Sequence, residues 1–380
     1  MKELIKIAGQ LLCIGFEGLE CGPELRTLLK EVRPGGVIFF QRNIATAEQF
    51  RTLVADIREV LAESRPFLAI DQEGGEVDRF RELLGPLPSA QEAAQAGLAF
   101  ELGDLAGREL AAFGLNVDFA PVLDIGSLEA RSVLGTRTAG DTPQQVNQFA
   151  AQFLRGLGGW NILGCAKHFP GLGGGCKDSH IGMPTIEKTE MALWKEDLLP
   201  FRNLADRLPM IMVAHASYPD LERTLAPGRP VLGGTLPASL SANIISGLLR
   251  ERIGYEGLVV CDDLEMGGAL EGRTIEEAAI AAVLAGCDML LVCRSAEKVR
   301  RVFGSLLREA GNHVNFRGQL AYAAQRILHA KERARITELP PPEPLGDWHT
   351  LREQIRRMNA AVSLGLRQQR DTPGGEAQGN

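Results

Sequence analysis

Ile162-Leu163-Gly164-Cys165-Ala166-Lys167-His168-Phe169-Pro170-Gly171-Leu172-Gly173-Gly174-Gly175-Cys176-Lys177-Asp178-Ser179-His180 is the stretch from which the fold can be read. Its apolar head has the character of a strand covered on both faces. Two cations, Lys167 and His168, stand where that strand ends. The glycine-rich run after them is too weak a helix former to hold a helix, and it leads to Asp178, two residues before His180. A connection that only turned a corner would need none of these side chains. An Asp beside a His on such a loop orients the imidazole, raises its pKa and leaves it able to move protons.

The same arrangement, an apolar run followed by ionisable residues, recurs along the chain. The runs are Leu11–Phe16, Gly36–Phe40, Phe67–Ile70, Val117–Val122, Ile162–Ala166, Met210–Ala214, Leu258–Cys261 and Met289–Cys293. Amphipathic segments separate most of them, among them Ala45–Glu63, Pro143–Leu157, Leu240–Ile253 and Thr274–Ala285. Ser239 or Ser241 is placed to cap the third, and Thr274 with Glu277 forms a capping-box pattern. Eight strands alternating with helices predict an α/β fold of the TIM type, a (β/α)8 barrel forming a single catalytic domain. A doubly wound sheet is the alternative. It would carry a glycine fingerprint after its first strand, and none is present. The barrel is expected to occupy residues 1–338. Residues 339–380 read as a Pro-rich linker, a helix from Trp348 to Leu366 and a disordered polar tail. Gly85–Gly97 and Leu208–Thr235 are Pro- and Gly-rich insertions.

The bulk properties narrow the function. The chain has 380 residues, 45% hydrophobic and 23% charged, which is ordinary for a globular protein. A net charge of -7 argues against a nucleic-acid partner, because nothing basic would neutralise phosphates. No stretch approaches the roughly 18 apolar residues of a membrane helix, and Met1–Ala8 lacks the apolar core of a signal peptide. The seven cysteines are scattered and odd in number. Cys13, Cys165, Cys261 and Cys293 fall in or beside the strands and read as buried reduced thiols, which suits a cytoplasmic protein. No cysteine pair has zinc-ligand spacing. No metal and no cofactor is expected, and a monomer is.

In a barrel of this kind the residues that matter follow the strands. The third strand runs into Asp71-Gln72-Glu73-Gly74-Gly75, the fourth into Asp124, the fifth into Lys167-His168, the sixth into His215 and the seventh into Asp262-Asp263. One such residue is commonly a helix cap; five sets on one rim argue for a site. Taken singly, several have plainer readings. One of Asp262 and Asp263 serves as a cap and the other is the candidate for chemistry. His215 reads as a packed polar residue, Asp118 as a structural carboxylate within a strand, and Arg79 and Arg137 as surface arginines. Gly74-Gly75 reads as a tight turn that also lets backbone approach a ligand.

Together these residues resemble the family 3 glycoside hydrolases, in their β-N-acetylglucosaminidase branch. The resemblance spans about residues 5–335. It rests on Gly36-Val37-Ile38-Phe39-Phe40-Gln41-Arg42-Asn43, Ile70–Gly75, Leu134-Gly135-Thr136-Arg137, Lys167–His180 and Val260–Met266. It implies an exo-acting, retaining hydrolase that removes terminal β-linked N-acetylglucosamine, with peptidoglycan fragments as substrate. It implies Asp262 as nucleophile, His180 as acid/base and Asp178 as its partner, where most glycosidases use a second carboxylate. Asp71, Arg79, Arg137, Lys167 and His168 match the positions that hold the terminal sugar, and His215 and Met266 complete the pocket wall. The implied partner is a small carbohydrate.

Three positions depart from the family pattern. Leu172 stands where relatives often have His, the loop contains Gly173-Gly174-Gly175, and Glu76 replaces an Arg that often follows Glu-Gly-Gly. The competing functions are a β-glucosidase or glycoside phosphorylase of the same family and, from another class, a catalytically silent sugar-binding protein.

Overall fold

The computed structural model describes residues 2–126, 133–174, 183–226, 236–336 and 348–371. Eight parallel strands close into a barrel in chain order: β1 Leu12–Ile14, β2 Gly36–Phe39, β3 Phe67–Ile70, β4 Val117–Asp118, β5 Leu163–Phe169, β6 Met210–Val213, β7 Leu258–Cys261 and β8 Met289–Val292. The ring shuts where β8 pairs with β1, Leu290 opposite Leu12. Every residue of β2, β3, β6, β7 and β8 is buried. That accounts for the lack of alternation in their sequences: one face fills the barrel, the other meets the helices. The expected (β/α)8 fold is therefore observed, and each of the eight apolar runs supplies a strand.

The helices are α1 Lys2–Gln10, α2 Pro23–Val32, α3 Ala47–Val60, α4 Arg81–Leu84, α5 Ala90–Gln95, α6 Ala99–Phe113, α7 Pro143–Gly158, α8 Glu190–Lys195, α9 Leu198–Leu204, α10 Pro219–Leu225, α11 Gly267–Leu270, α12 Ile275–Ala285, α13 Ala296–Asn312, α14 Val314–Arg333 and α15 Trp348–Asp371. Their ends follow local chemistry. Thr274 and Glu277 form the expected capping box on α12, which stops at Gly286 in the left-handed region. Thr142 and Gln145 do the same for α7, with Pro143 in its first turn.

Two segments differ from their sequence reading. The fourth strand pairs regularly over only Val117–Asp118. Pro121 has no N–H to give a ladder, and pairing resumes beyond it, where the Leu123 N–H donates to the Lys167 carbonyl at 2.6 Å. The stretch expected as one helix from Leu240 to Ile253 is a 3-10 turn, Ala238–Leu240, followed by a π-helix, Asn243–Arg252. Ser241 provides its N-terminal acceptor, 3.2 Å from the Ile244 N–H. Ser239 is drawn away to His215.

The last helix, α15, packs on α4, α5 and α6. Leu351, Ile355, Met358 and Val362 are buried at helical spacing along one stripe, and Trp348 lies 5.1 Å from the Phe113 ring. No helix among the described residues is long and apolar enough to cross a membrane. Cys13, Cys21, Cys165, Cys261, Cys287 and Cys293 are buried free thiols.

One buried charge lies far from the mouth. Lys331 of α14 is 1% exposed and donates to Gln10 Oε1 at 2.8 Å and to the Ser64 carbonyl at 3.0 Å. Burial lowers its pKa to about 7. Between that value and the ordinary lysine pKa near 10.5, the unfolded chain holds a proton that the folded chain lacks. The Lys331 contribution to stability should therefore rise with pH across this window. Thermal midpoints of the wild type and Lys331→Met, compared from pH 7 to 9.5, should shift relative to one another in favour of the wild type as the pH increases.

Candidate active site

The residues that follow β3 to β7 meet at the C-terminal mouth of the barrel. Beyond β3 the chain stays extended, so Asp71 and Glu73 face one side and Gln72 the other. Gln72 turns towards the helices. Its N–H donates to Asp118 Oδ1 at 2.9 Å, and its Nε2 donates to Asp78 Oδ1 and Glu109 Oε2, both at 2.7 Å. Its Oε1 accepts from the Arg79 N–H at 2.8 Å. The chain then doubles back at Gly74, whose φ of 85° and position against the Pro88 carbonyl exclude a side chain. This return brings the Arg79 guanidinium to 3.7 Å from Asp71.

Lys167 and His168 close the arrangement from β5. The Lys167–His168 peptide is cis, and the pairing register with β6 shifts between Lys167 and Phe169. The Lys167 Nζ lies 2.6 Å from Asp71 and 2.7 Å from Glu73. Arg137 grips the same Glu73 with two parallel bonds, from Nε at 2.8 Å and Nη2 at 2.9 Å. His168 Nδ1 sits 2.7 Å from Asp124 Oδ2, and Asp124 Oδ1 accepts the Leu172 N–H at 2.7 Å. Asp124 thus ties the imidazole to the base of the glycine loop. Tyr218 adds a second tie, donating to the Gly171 carbonyl at 2.7 Å.

The seventh strand delivers two aspartates with different duties. Asp262 accepts the Asp263 N–H at 2.7 Å and is partly exposed at the mouth. Asp263 accepts the Glu265 and Cys293 N–H groups at 3.0 and 3.2 Å, so it is the turn-forming member of the pair. His215 lies 2.7 Å from Ser239 Oγ and 3.0 Å from the Asp263 carbonyl. A carbonyl only accepts, so Nε2 carries the proton and Nδ1 accepts from the serine. Met266 sits in the same turn, its N–H 3.0 Å from the Asp263 carbonyl.

The electrostatics separate these groups. Burial alone would raise the Glu73 pKa, but the Lys167 and Arg137 charges hold it far below the usual carboxylate range. Burial would lower that of Lys167; the Asp71 and Glu73 charges hold it above its ordinary value. Desolvation also works against ionised Asp262, and the surrounding His215 and His168, the Asp263 N–H and Lys167 outweigh it, leaving the carboxyl below its ordinary pKa. Burial pushes the His215 pKa below its ordinary value, against the opposing effect of the neighbouring Asp262. Asp263 is pushed up to about 6, chiefly by burial. Behind the mouth, burial raises the pKa values of Glu109 and Asp118 well above the ordinary carboxylate range.

Asp71, Arg79, Arg137 and Lys167 thus share one ion-paired cluster. His168, His215 and Lys167 are the groups that act on Asp262. Asp178 and His180 lie outside the described residues. Met266 lies four residues after Asp262, at the start of α11. Glu76 stands exposed against the Gly135–Arg137 turn.

Sequence reasoning placed Gln72, Glu73 and Asp124 on the rim but gave them no role in the site. Glu73 had a signal, its i,i+2 relation to Asp71 on an extended segment. Asp124 had its place after β4. Gln72 had none, because its partners are 6 and 37 residues away. Among the described residues no cluster of His, Cys, Asp and Glu is arranged to hold a metal ion.

A barrel mouth lined by paired carboxylates and cations, with one ionised aspartate beside them, is suited to gripping hydroxyl groups next to a reacting centre. It marks the chain as a (β/α)8-barrel protein with its site at the C-terminal mouth, built for a polyhydroxylated ligand. Residues 4–330 match the glycosyl hydrolase family 3 N-terminal domain. The β-hexosaminidase of Alkalilimnicola ehrlichii is 39% identical over 305 residues, 78% of this chain and 84% of that one. The family 3 β-N-acetylglucosaminidase of a Paenibacillus species superposes with a TM-score of 0.83 at 33% identity, over 94% of this chain and 68% of that one. NagZ from Neisseria gonorrhoeae, solved with N-trifluoroacetyl-D-glucosamine, superposes with a TM-score of 0.68 at 27% identity, over 84% and 98%. The chain belongs to glycosyl hydrolase family 3 and is a glycosidase.

Removing the Glu73 charge leaves Lys167 paired with Asp71 alone among the described residues and takes from Arg137 its bidentate partner. Breaking a buried pair from one side costs about 3–5 kcal/mol. Glu73→Gln should lower the denaturant midpoint accordingly, more than Asp71→Asn does, since Asp71 is the more exposed.

Proposed function

We propose that the enzyme removes terminal, non-reducing β-linked N-acetylglucosamine by a retaining double displacement, and that peptidoglycan fragments in the cytoplasm are its substrates. The observation that carries this reading is Asp262. It is held ionised at the mouth, beside a cluster in which Asp71 and Glu73 face Arg79, Arg137 and Lys167, one positive charge in excess. An anionic nucleophile is what the first step requires. The named activities of the relatives support the choice of sugar. We assign the catalytic unit to residues 1–338 and treat residues 339–380 as appended to it.

In the first step an Asp262 oxygen bonds to the anomeric carbon as the glycosidic bond breaks. His180, as imidazolium, gives its proton to the departing oxygen. In the second step the now neutral His180 takes a proton from water, the water oxygen bonds to the anomeric carbon, and Asp262 leaves as carboxylate. Asp178 favours the imidazolium and so sets the proton for the first step. The roles of His180 and Asp178 rest on the sequence motif. Asp71, Arg79, Arg137, Lys167 and His168 hold the sugar. The Arg79 Nε, buried without a partner, is a donor left for a hydroxyl or the acetamido oxygen.

An aryl N-acetyl-β-glucosaminide should be hydrolysed with release of N-acetylglucosamine. Asp262→Asn should lower kcat by roughly three orders of magnitude or more. His180→Ala should slow substrates with poor leaving groups far more than those with good ones. Because Asp262 stays ionised below the ordinary carboxylate range, kcat/KM should lose nothing to its protonation until the pH falls below about 4. Assays with and without phosphate decide the fate of the intermediate: a sugar 1-phosphate product would overturn hydrolysis. Binding of the sugar with no turnover and no adduct on Asp262 would overturn the enzymatic reading.

A further inference from the structure

The matched family domain stops at residue 330, and α15 lies beyond it. We propose that α15 is a strap that positions the sugar-recognition segment after β3. The proposal rests on the reading of Asp71 and Arg79 as sugar-binding groups.

The segment from Leu83 to Ser89 has little structure of its own. Helix α4 is a single turn, and it ends at Gly85, whose φ is 98°. The last carbonyls of a one-turn helix lack intrahelical partners; α15 supplies a donor to that of Leu83 and another to that of Pro86, just beyond the helix. Arg352 donates to the Leu83 carbonyl from Nε at 3.0 Å and from Nη2 at 2.7 Å. Asn359 donates to the Pro86 carbonyl at 2.8 Å. Between these two grips the buried Ile355 lies under Gly85.

From there the connection to the mouth is short. The Leu87 carbonyl accepts the Gly75 N–H at 3.0 Å, and the Leu87 N–H donates to Asp78 Oδ2 at 2.8 Å. Gly74 and Gly75 lie so close to Pro88 and Ser89 that neither has room for a Cβ. Asp78 in turn holds the Gln72 amide, and Gln72 holds the Arg79 backbone. A shift of residues 83–89 is therefore transmitted to both arms of the recognition segment. One arm is Asp71–Gly75; the other is Asp78–Arg79. Helix α15 acts on the sugar only through these residues, so Arg352 and Asn359 are positioning residues.

The test uses the full chain carrying Arg352→Ala with Asn359→Ala, and separately Asn359→Asp, which keeps the helix and side-chain size but replaces the donor with an acceptor. Two readouts are taken: deuterium uptake of the peptide covering residues 71–90, and steady-state kinetics on an aryl N-acetyl-β-glucosaminide. The strap predicts faster uptake in 71–90 with β5 to β8 unchanged, KM raised about fivefold, and kcat within twofold of the wild type. Arg352→Lys, which still donates, should restore most of the KM in the presence of Asn359. Unchanged uptake in 71–90, or faster uptake with unchanged KM, would overturn the proposal. If the wild type does not turn over the glucosaminide, it is the proposed function that fails, and the uptake experiment still decides whether α15 holds the segment.

Discussion

The Lys167 ammonium, buried between Asp71 and Glu73, is the interaction on which the rest of the mouth depends. Removing three charges from water is unfavourable unless their geometry compensates for it. Here the lysine contacts both carboxylates, and Arg137 completes Glu73 with a bidentate pair. The consequence is mechanical as well as electrostatic. One cation from β5 fixes the segment after β3, and through Glu73 it fixes the Gly135–Arg137 turn as well. Lys167 also acts on Asp262 across the mouth, adding to His215, His168 and the Asp263 N–H, which together hold that carboxyl below its ordinary pKa against desolvation.

Behind this charged ring stands a second arrangement with the opposite character. Glu109 and Asp118 are fully buried, and that burial raises their pKa values well above the ordinary carboxylate range, at Asp118 against the pull of Lys167. They serve Gln72, whose amide presents donors to Asp78 and Glu109 and an acceptor to Arg79. The mouth has an ionic front and a hydrogen-bonded back whose carboxyl pKa values burial raises. The front meets a polar ligand; the back holds the chain that carries the front. Helix α15 extends that support outward, since it grips the segment against which Gly74 and Gly75 are packed.

Much of this was legible before any coordinates. The strands could be read because a segment covered on both faces must be apolar throughout, and the barrel because eight such segments alternate with amphipathic ones. Asp71, His215 and Asp262 could be placed because each comes within two residues of a strand end, and Lys167 and His168 because they end the apolar run of β5. Less legible were the places where a long-range partner overrides a local preference. Ser239 is as good a cap as Ser241, yet His215 takes it. Val117–Val122 reads as one strand, yet Pro121 interrupts its ladder. Glu73 looks like one of many loop carboxylates until Arg137, 64 residues away, is brought against it.

What the sequence determined by itself is the architecture, the order of the strands and the set of polar residues delivered to one rim. These follow from periodicity and from position relative to a strand end, both of which are local along the chain. Only the tertiary structure decided which carboxylate is ionised, which is neutral and which merely closes a turn. Asp262 and Asp263 are adjacent in sequence, yet one is held below its ordinary pKa and the other is raised to about 6. The difference lies in what each faces: Asp262 the imidazoles and Lys167, Asp263 a turn closed by backbone N–H groups with other carboxylates near it. Burial and partner charge are properties of the folded neighbourhood, and groups from five strands had to converge before either was defined.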